Sequence, residues 1–580
     1  MEAKMTGKTP QYDVAILGAG LTGAALAGCL ARNGAKVLIL DSGTHPRFST
    51  GESVTPYAAV LLRILSERYG VPELSLLSNF ESTQERVSSH CGLNRTSGYL
   101  YHRPGMRQNP VESAQFSPGS LFQDGSHFFR QDTDSWLVNT AVAYGADIRQ
   151  QQRITDVAVG EDGVTLSTGD GKGPVFRARF VVDTSGPASP LADRLELREE
   201  PTRLRHRSRS LYNHMLGVRP YEETVAAGDQ RARVPWSQGT LHHLFEGGWM
   251  WVIPFDNHPR ATNPLCSVGL VLDPEVHPEP GCSPEEEFRS FVARYPDLAP
   301  QFRDARPARE WTRTGTQQYS SKQTVGYRWC VTGAAAGYVD ELHSCGLTAS
   351  LQTVGALGWR LLDALRADDF AVERFSDVQE LEQSLLDFND SLVAAAFTST
   401  ADWELWDSWF QVWSLGQLLG LLDARLALSK YAENHRAEEL AGLERCAPAG
   451  GMPDYPPLRE LFTRAERLVR DVRTGDRDPR ESGLELMRVL RSADFTPPGY
   501  GFGEPGRRHH GMSPAQTLTT LRWARSSRVP GEIGALTYEG LTALLRDRVS
   551  RKDVALKDQL THAVAGLPLV GRPLRVSGPK

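Results

Sequence analysis

Three glycines and one acid are the first residues in this chain whose spacing could do chemistry. Gly18, Gly20 and Gly23 follow a short apolar run, Tyr12 to Leu17, and open an Ala/Leu-rich stretch that ends near Asn33-Gly34. A second apolar run, Lys36 to Leu40, ends in Asp41, 18 positions beyond Gly23. Glycines so placed allow a tight turn and bring backbone against a pyrophosphate, while the helix start offers N–H groups and a positive dipole. The acid can accept from a ribose hydroxyl. A lone GxGxxG is weak, but strand, turn, helix, second strand and acid together specify a dinucleotide site. No second such unit follows, which favours one tightly held FAD over NAD.

Other reactive residue types give a plainer reading. Trp403, Trp406, Trp409 and Trp413 recur every three or four residues, the spacing of a buried helix face rather than of a substrate wall. His509 and His510, beside Arg507 and Arg508, are adjacent and share no helix face, so we expect a solvated loop and no metal. The seven cysteines lack CxxC spacing, which argues against a disulfide framework or a zinc site. Most are expected to be small buried hydrophobes, with Cys345 set apart.

The elements that must carry these groups follow from periodicity. Arg153 to Val159, Gly163 to Ser167 and Phe176 to Val182 alternate like strands, the last returning to the first sheet at Asp183-Thr-Ser-Gly186 and bringing Asp183 and Gly186 to the cofactor. Residues 203–275 continue β-rich. A Gly/Ala-rich loop at 333–337 precedes a helix starting near Ser344, and beyond about 385 the chain is mainly helical, with Pro/Gly punctuation at 447–457 and 497–506. The expected organisation is a first FAD-binding part at 10–100, an interleaved FAD-binding and β-rich substrate region at 101–330, a returning FAD-binding segment and helix at 331–385, and a helical C-terminal domain at 386–580. The fold class is α/β: a GR2-type FAD-binding fold with an interleaved mixed-sheet substrate domain and a helical C-terminal extension.

Composition limits the partners. With 580 residues, 40% hydrophobic and 23% charged, the chain is an ordinary globular one of more than one core. Its net charge of -6 and pI near 6.2 recruit neither nucleic acid nor an anionic membrane. No run approaches the roughly 20 apolar residues that span a bilayer, and a cytoplasmic protein is expected.

Three further segments carry a resemblance. Arg47-Phe-Ser-Thr-Gly51-Glu52-Ser53 follows the second strand, Phe129-Arg130 precedes an amphipathic helix, and Trp249-Met-Trp251-Val-Ile253-Pro254 forms a WxWxIP pattern. With these the chain resembles the flavin-dependent halogenases, a branch of the FAD monooxygenase superfamily, over about residues 10–430. It is most similar to the branch acting on tetracycline-type aromatic polyketides, sharing stretches such as ERYGVPE and GGWMWVIPFDNHPR. The resemblance implies that Arg47, Glu52, Ser53 and Arg130 lie on the flavin. It implies that Trp249 and Trp251 line the route from flavin to substrate. A small aromatic substrate, O2 and FADH2 from a separate flavin reductase are implied too.

Two departures from the family matter. Ser82, in Phe80-Glu81-Ser82-Thr83, stands where the family has its lysine, and no lysine occurs between Lys36 and Lys172. An ammonium holds hypohalous acid or carries its halogen; a serine hydroxyl does neither, and Arg86 nearby stays protonated. The loop from Gly333 to Gly346 keeps Gly333, Asp340 and Gly346 at the family positions but has Ala334, Glu341 and His343 where the family has an acid, proline or alanine, and phenylalanine. An inward Glu341 carboxylate would oppose halide, and His343 is either a proton relay or a packed imidazole. The resemblance and these departures from it make Ser82, Trp249, Trp251, His343 and Cys345 the catalytic candidates. The departures at Ser82 and Glu341 favour oxygenation or another oxidation of an aromatic polyketide or phenol without halogenation. The alternatives are a halogenase using a different cation and a flavoprotein partner without turnover.

Overall fold

The computed structural model describes residues 11–118, 122–169, 172–226, 232–445 and 455–550. Most of the punctuation at 447–457 and the last stretch of the expected helical domain, 551–580, therefore lie outside the described residues.

The first sheet is built on near-continuous apolar strands buried on both faces, as parallel strands require. Tyr12–Leu17 lies between Val37–Leu40 and Val175–Asp183, parallel to both, and Trp329–Val331 extends the sheet beyond the latter. Val14 and Ile16 face the helices on one side, Ala15 and Leu17 the core on the other. Between the first two strands runs the helix Leu21–Arg32, whose N-cap, Gly20, makes no side-chain cap and leaves its first N–H groups for a ligand. The hairpin Ile154–Gly160 and Gly163–Thr168 joins antiparallel to Val175–Asp183.

A second, nine-stranded sheet holds the groups that face the site. Its central strands, Thr240–Phe245, Gly248–Pro254 and Leu265–Leu272, pair antiparallel, while Ser97–Tyr101 pairs parallel to the first of them. Strict alternation divides their side chains. Leu241, Phe245, Met250 and Val252 pack with Phe288 and Phe291 of the helix Pro284–Val292 on one face. Leu244, Trp249, Trp251 and Ile253 face the core of the FAD-binding part on the other.

The C-terminal helices are not a separate body. The boundary expected at 386 falls inside the helix Ser376–Ser399, and the long helix Trp403–Asn434 packs on Pro56–Tyr69 of the FAD-binding part. Trp403, Trp406, Trp409 and Trp413 are all buried, in the apolar core that also holds the first helix. His509–His510 is not a solvated loop: it is a short strand parallel to Ser113–Phe116 of the second sheet. Ladder pairing and stacking of His510 on Phe502, with ring centroids 5.2 Å apart, bury the second histidine.

Trp251 opposes Gly269 across this sheet, and a Cβ on Gly269 would lie 2.0 Å from the indole. Gly269→Ala should therefore displace the indole and cost about 1–3 kcal/mol, read as a lowered Tm and shifted tryptophan fluorescence. Gly281→Ala, whose Cβ meets nothing within 4 Å, should melt within error of the parent.

Candidate active site

The glycine turn divides its labour. Gly18 takes φ +95 and a Cβ there would lie 2.8 Å from Ser185 Cα; at Gly23 it would lie 2.1 Å from the Gly18 carbonyl oxygen. Both glycines let the turn press against the returning strand. Gly20 is different: its Cβ would meet nothing, because it faces a cavity of about 850 Å³. That volume lies in the range of cofactor sites, and an uncapped helix start on its wall suits a pyrophosphate. The residues present thus fit FAD.

Asp41 is buried and accepts from Ala19 N at 2.6 Å and Gly43 N at 2.7 Å, with both Arg47 terminal nitrogens at 2.8 Å. The pair sets Arg47 on the cavity wall. Glu52 and Arg130 line it too. Arg130 forms a buried bidentate pair with Asp134 and donates to Gly51 O at 3.1 Å, tying the Gly51-Glu52-Ser53 segment down. Glu52 meets His214 Nε2 at 2.6 Å. Gly186, Gly333, Asp340 and Gly346 also line this cavity. Asp183 does not reach it: the carboxylate is buried among Ser185 and Ser189 hydroxyls and the Leu191 N–H, and so positions the loop that presents Gly186. Asp340 accepts from Ser208 Oγ at 2.8 Å and Leu342 N at 3.0 Å, which fixes the 338–346 loop.

Trp249, Trp251 and Ile253 form a wall of the same cavity. Trp251 Nε1 donates to Ser267 Oγ at 3.1 Å, while Trp249 Nε1 has no hydrogen-bond partner among the described residues. Beside this wall lies a second cavity of about 440 Å³, bounded by Tyr99, Phe116, His343, Trp413 and, from the short strand between the C-terminal helices, His509. Arg95, Arg233 and Arg425 also line it. Ser53, His242 and Ser344 line both cavities and so form their common wall.

The catalytic candidates separate accordingly. Ser82 lies on the short helix Phe80–Arg86, capped by Asn79, and its hydroxyl donates to Leu76 O at 2.7 Å. It lines neither cavity, and neither does the exposed Arg86. Cys345 starts the helix Cys345–Ala367 and also lines neither cavity. Burial pushes its thiol up to about 12, so it stays protonated and is no nucleophile. His343 does line the second cavity, its ring 4.5 Å from that of Trp413 with neither nitrogen hydrogen-bonded, and burial lowers its pKa to about 3. Glu341 faces the first cavity, but burial, reinforced by Asp340, raises its pKa to about 7. It is therefore not the fixed negative charge expected to repel halide.

Sequence reasoning missed three groups. His242 and Arg95 carry no motif, and Glu382, whose burial raises its pKa to about 7, accepts from Gly333 N at 2.9 Å and Thr332 Oγ1 at 2.8 Å from a remote helix. Among the described residues no cluster of three metal-ligating side chains occurs, and no helix is long and apolar enough to cross a membrane.

Residues 13–317 match the family described as FAD dependent oxidoreductase, the class that the glycine turn and its cavity define. The chain is 42% identical over 546 residues to the tetracycline 7-halogenase of Kitasatospora aureofaciens, covering 92% of this chain and 97% of that one. It is 38% identical over 571 residues to the monodechloroaminopyrrolnitrin halogenase PrnC of Pseudomonas fluorescens, covering 95% and 100%. Its structure resembles that of halogenase PltM in complex with phloroglucinol and FAD, with a TM-score of 0.82 and 33% identity, covering 86% of this chain and 100% of that one. The chain belongs to the flavin-dependent halogenase family, and FAD is its cofactor.

Gly20→Val should give soluble protein with a parental melting profile but no bound-flavin absorbance, because its side chain enters only the cavity. Gly18→Ala should instead lower stability itself, since its backbone is left-handed and its Cβ collides with Ser185. Full flavin absorbance in the Gly20→Val protein would place the cofactor elsewhere.

Proposed function

We propose that this chain is a genuine halogenase of an electron-rich aromatic natural product, a phenol or aromatic polyketide, rather than a non-halogenating oxygenase. The observation that carries this reading is the position of Ser82. Halogenation was disfavoured by a missing cation at Ser82, but Ser82 lines neither cavity, its hydroxyl donating to Leu76 O, whereas a cation, Arg95, lines the second. The similarity to the tetracycline 7-halogenase along nearly the whole chain supports the same conclusion.

Arg95 is the cation that we assign to the hypohalous acid. It follows Asn94, whose Nδ2 donates to Ser53 Oγ at 3.2 Å on the common wall. Its guanidinium is held by Asp124 and Gln238, each at 2.9 Å. A guanidinium stays protonated, so Arg95 holds and polarises hypohalous acid through charge-assisted hydrogen bonds and carries no covalent halogen. When bound, reduced by a separate flavin reductase and exposed to O2, FAD supplies the oxidising power for halide. Trp249 and Trp251 keep the aromatic out of the first cavity, and the apolar walls of the second hold it. Oxygenation remains the second reading, favoured by the absence of any lysine between Lys36 and Lys172.

The test supplies FAD, a flavin reductase, NADH, O2 and a phenolic aromatic with chloride or bromide, and reads product mass. A halogen isotope pattern that follows the halide is expected. Arg95→Met should lower its yield about 10²-fold or more, while Ser82→Ala leaves it within about twofold. A halide-independent product labelled from 18O2 would overturn the proposal.

A further inference from the structure

We propose that His242 is the general base that takes the phenolic proton of the substrate, which makes phenols, rather than aromatics without an ionisable hydroxyl, the class this site turns over. The proposal rests on the halogenase reading and deepens it.

His242 stands on the strand Thr240–Phe245, opposite Trp251 on one side and Tyr99 on the other. Its ring stacks on Tyr99 with centroids 4.4 Å apart at 12°, and lies 5.6 Å from Trp249. The imidazole is thus clamped between aromatic rings in the wall common to both cavities. Its Nδ1 lies 3.0 Å from the carbonyl oxygen of Gly98. A carbonyl only accepts, so Nδ1 carries the hydrogen and Nε2 carries the lone pair. The neighbouring titratable groups do not disturb this assignment. His127, His243 and His343 are all driven neutral, mainly by burial, and burial keeps the Tyr99 hydroxyl protonated. His242 itself is lowered by burial to about 4, so it is unprotonated across the working range but a weak base, which takes the phenolic proton only as attack on the halogen makes that hydroxyl strongly acidic.

His343 is the competing base in the same cavity, but no hydrogen bond selects its tautomer and it does not line the first cavity. It offers a polar surface to the substrate. His242 alone combines a selected tautomer with a place where the halogen donor and the aromatic meet.

The step balances as an electrophilic substitution. The phenolic proton moves to Nε2 of His242 as the ring carbon attacks the halogen of hypohalous acid; the carbon–halogen bond forms and the oxygen–halogen bond breaks. The released hydroxide takes the proton back from the imidazolium and leaves as water. The ring C–H proton is then lost and the phenol oxygen regains one, so hypohalous acid and phenol give halophenol and water.

His242→Asn separates the roles, because an asparagine amide retains a donor near Nδ1 for Gly98 O and has no basic nitrogen. His242→Gln is the second variant, with an acceptor near Nε2 that cannot take a proton. Both are compared with the parent on a resorcinol-type phenol and its methyl ether, with a diffusible 1,3-diketone trap reporting hypohalous acid. We expect the trap signal and flavin absorbance to be retained, and phenol halogenation at pH 7 to fall about 10²- to 10⁴-fold in both variants. The parent rate should stay flat from about pH 6 to 9, whereas the variants should rise about tenfold per pH unit as phenolate forms in solution. Calorimetry on the flavin-free protein should show the parent binding the phenol about five- to tenfold more tightly than the ether, a preference lost in His242→Asn. Variant rates within threefold of the parent, or an equal pH-independent loss on phenol and ether, would overturn the role of His242. A parent that halogenates neither the aromatic nor the trap would overturn the halogenase reading instead, and this inference with it.

Discussion

The site depends on one close approach, the Trp251 indole lying across Gly269. The two residues face each other in the central pair of the second sheet, and the ring occupies the space where any side chain at 269 would begin. This contact pins the register of the hairpin. In a β-strand a slip of one residue sends every side chain to the opposite face. Such a slip would turn Trp249, Trp251 and His242 towards the Phe288 and Phe291 core and bring Met250, Val252 and His243 to the cavities. Wall and base therefore stand or fall together.

Around that wall the electrostatics differ on the two sides. The first cavity is bordered by Arg47, Arg130 and an uncapped helix start, which suit phosphates. The second is lined by neutral imidazoles and aromatic rings, with arginines at Arg95, Arg233 and Arg425. Burial does most of this work: it holds His242 and His343 unprotonated and moves Glu341 and Glu382 towards neutrality. A cavity whose imidazoles are neutral and whose arginines can donate charge-assisted hydrogen bonds suits an uncharged phenol beside hypohalous acid.

The legible parts of the chain were those whose physics is local. The strand Tyr12–Leu17, the glycine turn and the helix Leu21–Arg32 follow from apolar periodicity and turn chemistry within a few residues of one another. The alternating tryptophans announced a strand, and the Trp403–Trp413 spacing announced a buried helix but not that its Trp413 also lines the second cavity. What escaped depends on distant pairing. His509–His510 has no periodic signature because it is two residues long and is held by a strand from the other end of the chain. His242 is one histidine in an HH pair whose facing is set by register alone. Spacing within a motif did not reveal how the Asn79-capped helix turns the Ser82 hydroxyl to Leu76 O. Arg95, on the next turn between strands Gly92–Asn94 and Ser97–Tyr101, was passed over for the same reason.

The central claim is that flavin and aromatic occupy separate cavities whose common wall, among the described residues, is Ser53, His242 and Ser344. A crystal structure of the complex with FAD and a phenol tests it most directly. The account predicts isoalloxazine against the Trp249 and Trp251 wall and the phenol between Tyr99, His343 and Trp413, its oxygen at Nε2 of His242 and its ring out of van der Waals contact with the flavin. A phenol stacked directly on the isoalloxazine, as an oxygenase would require, would contradict it.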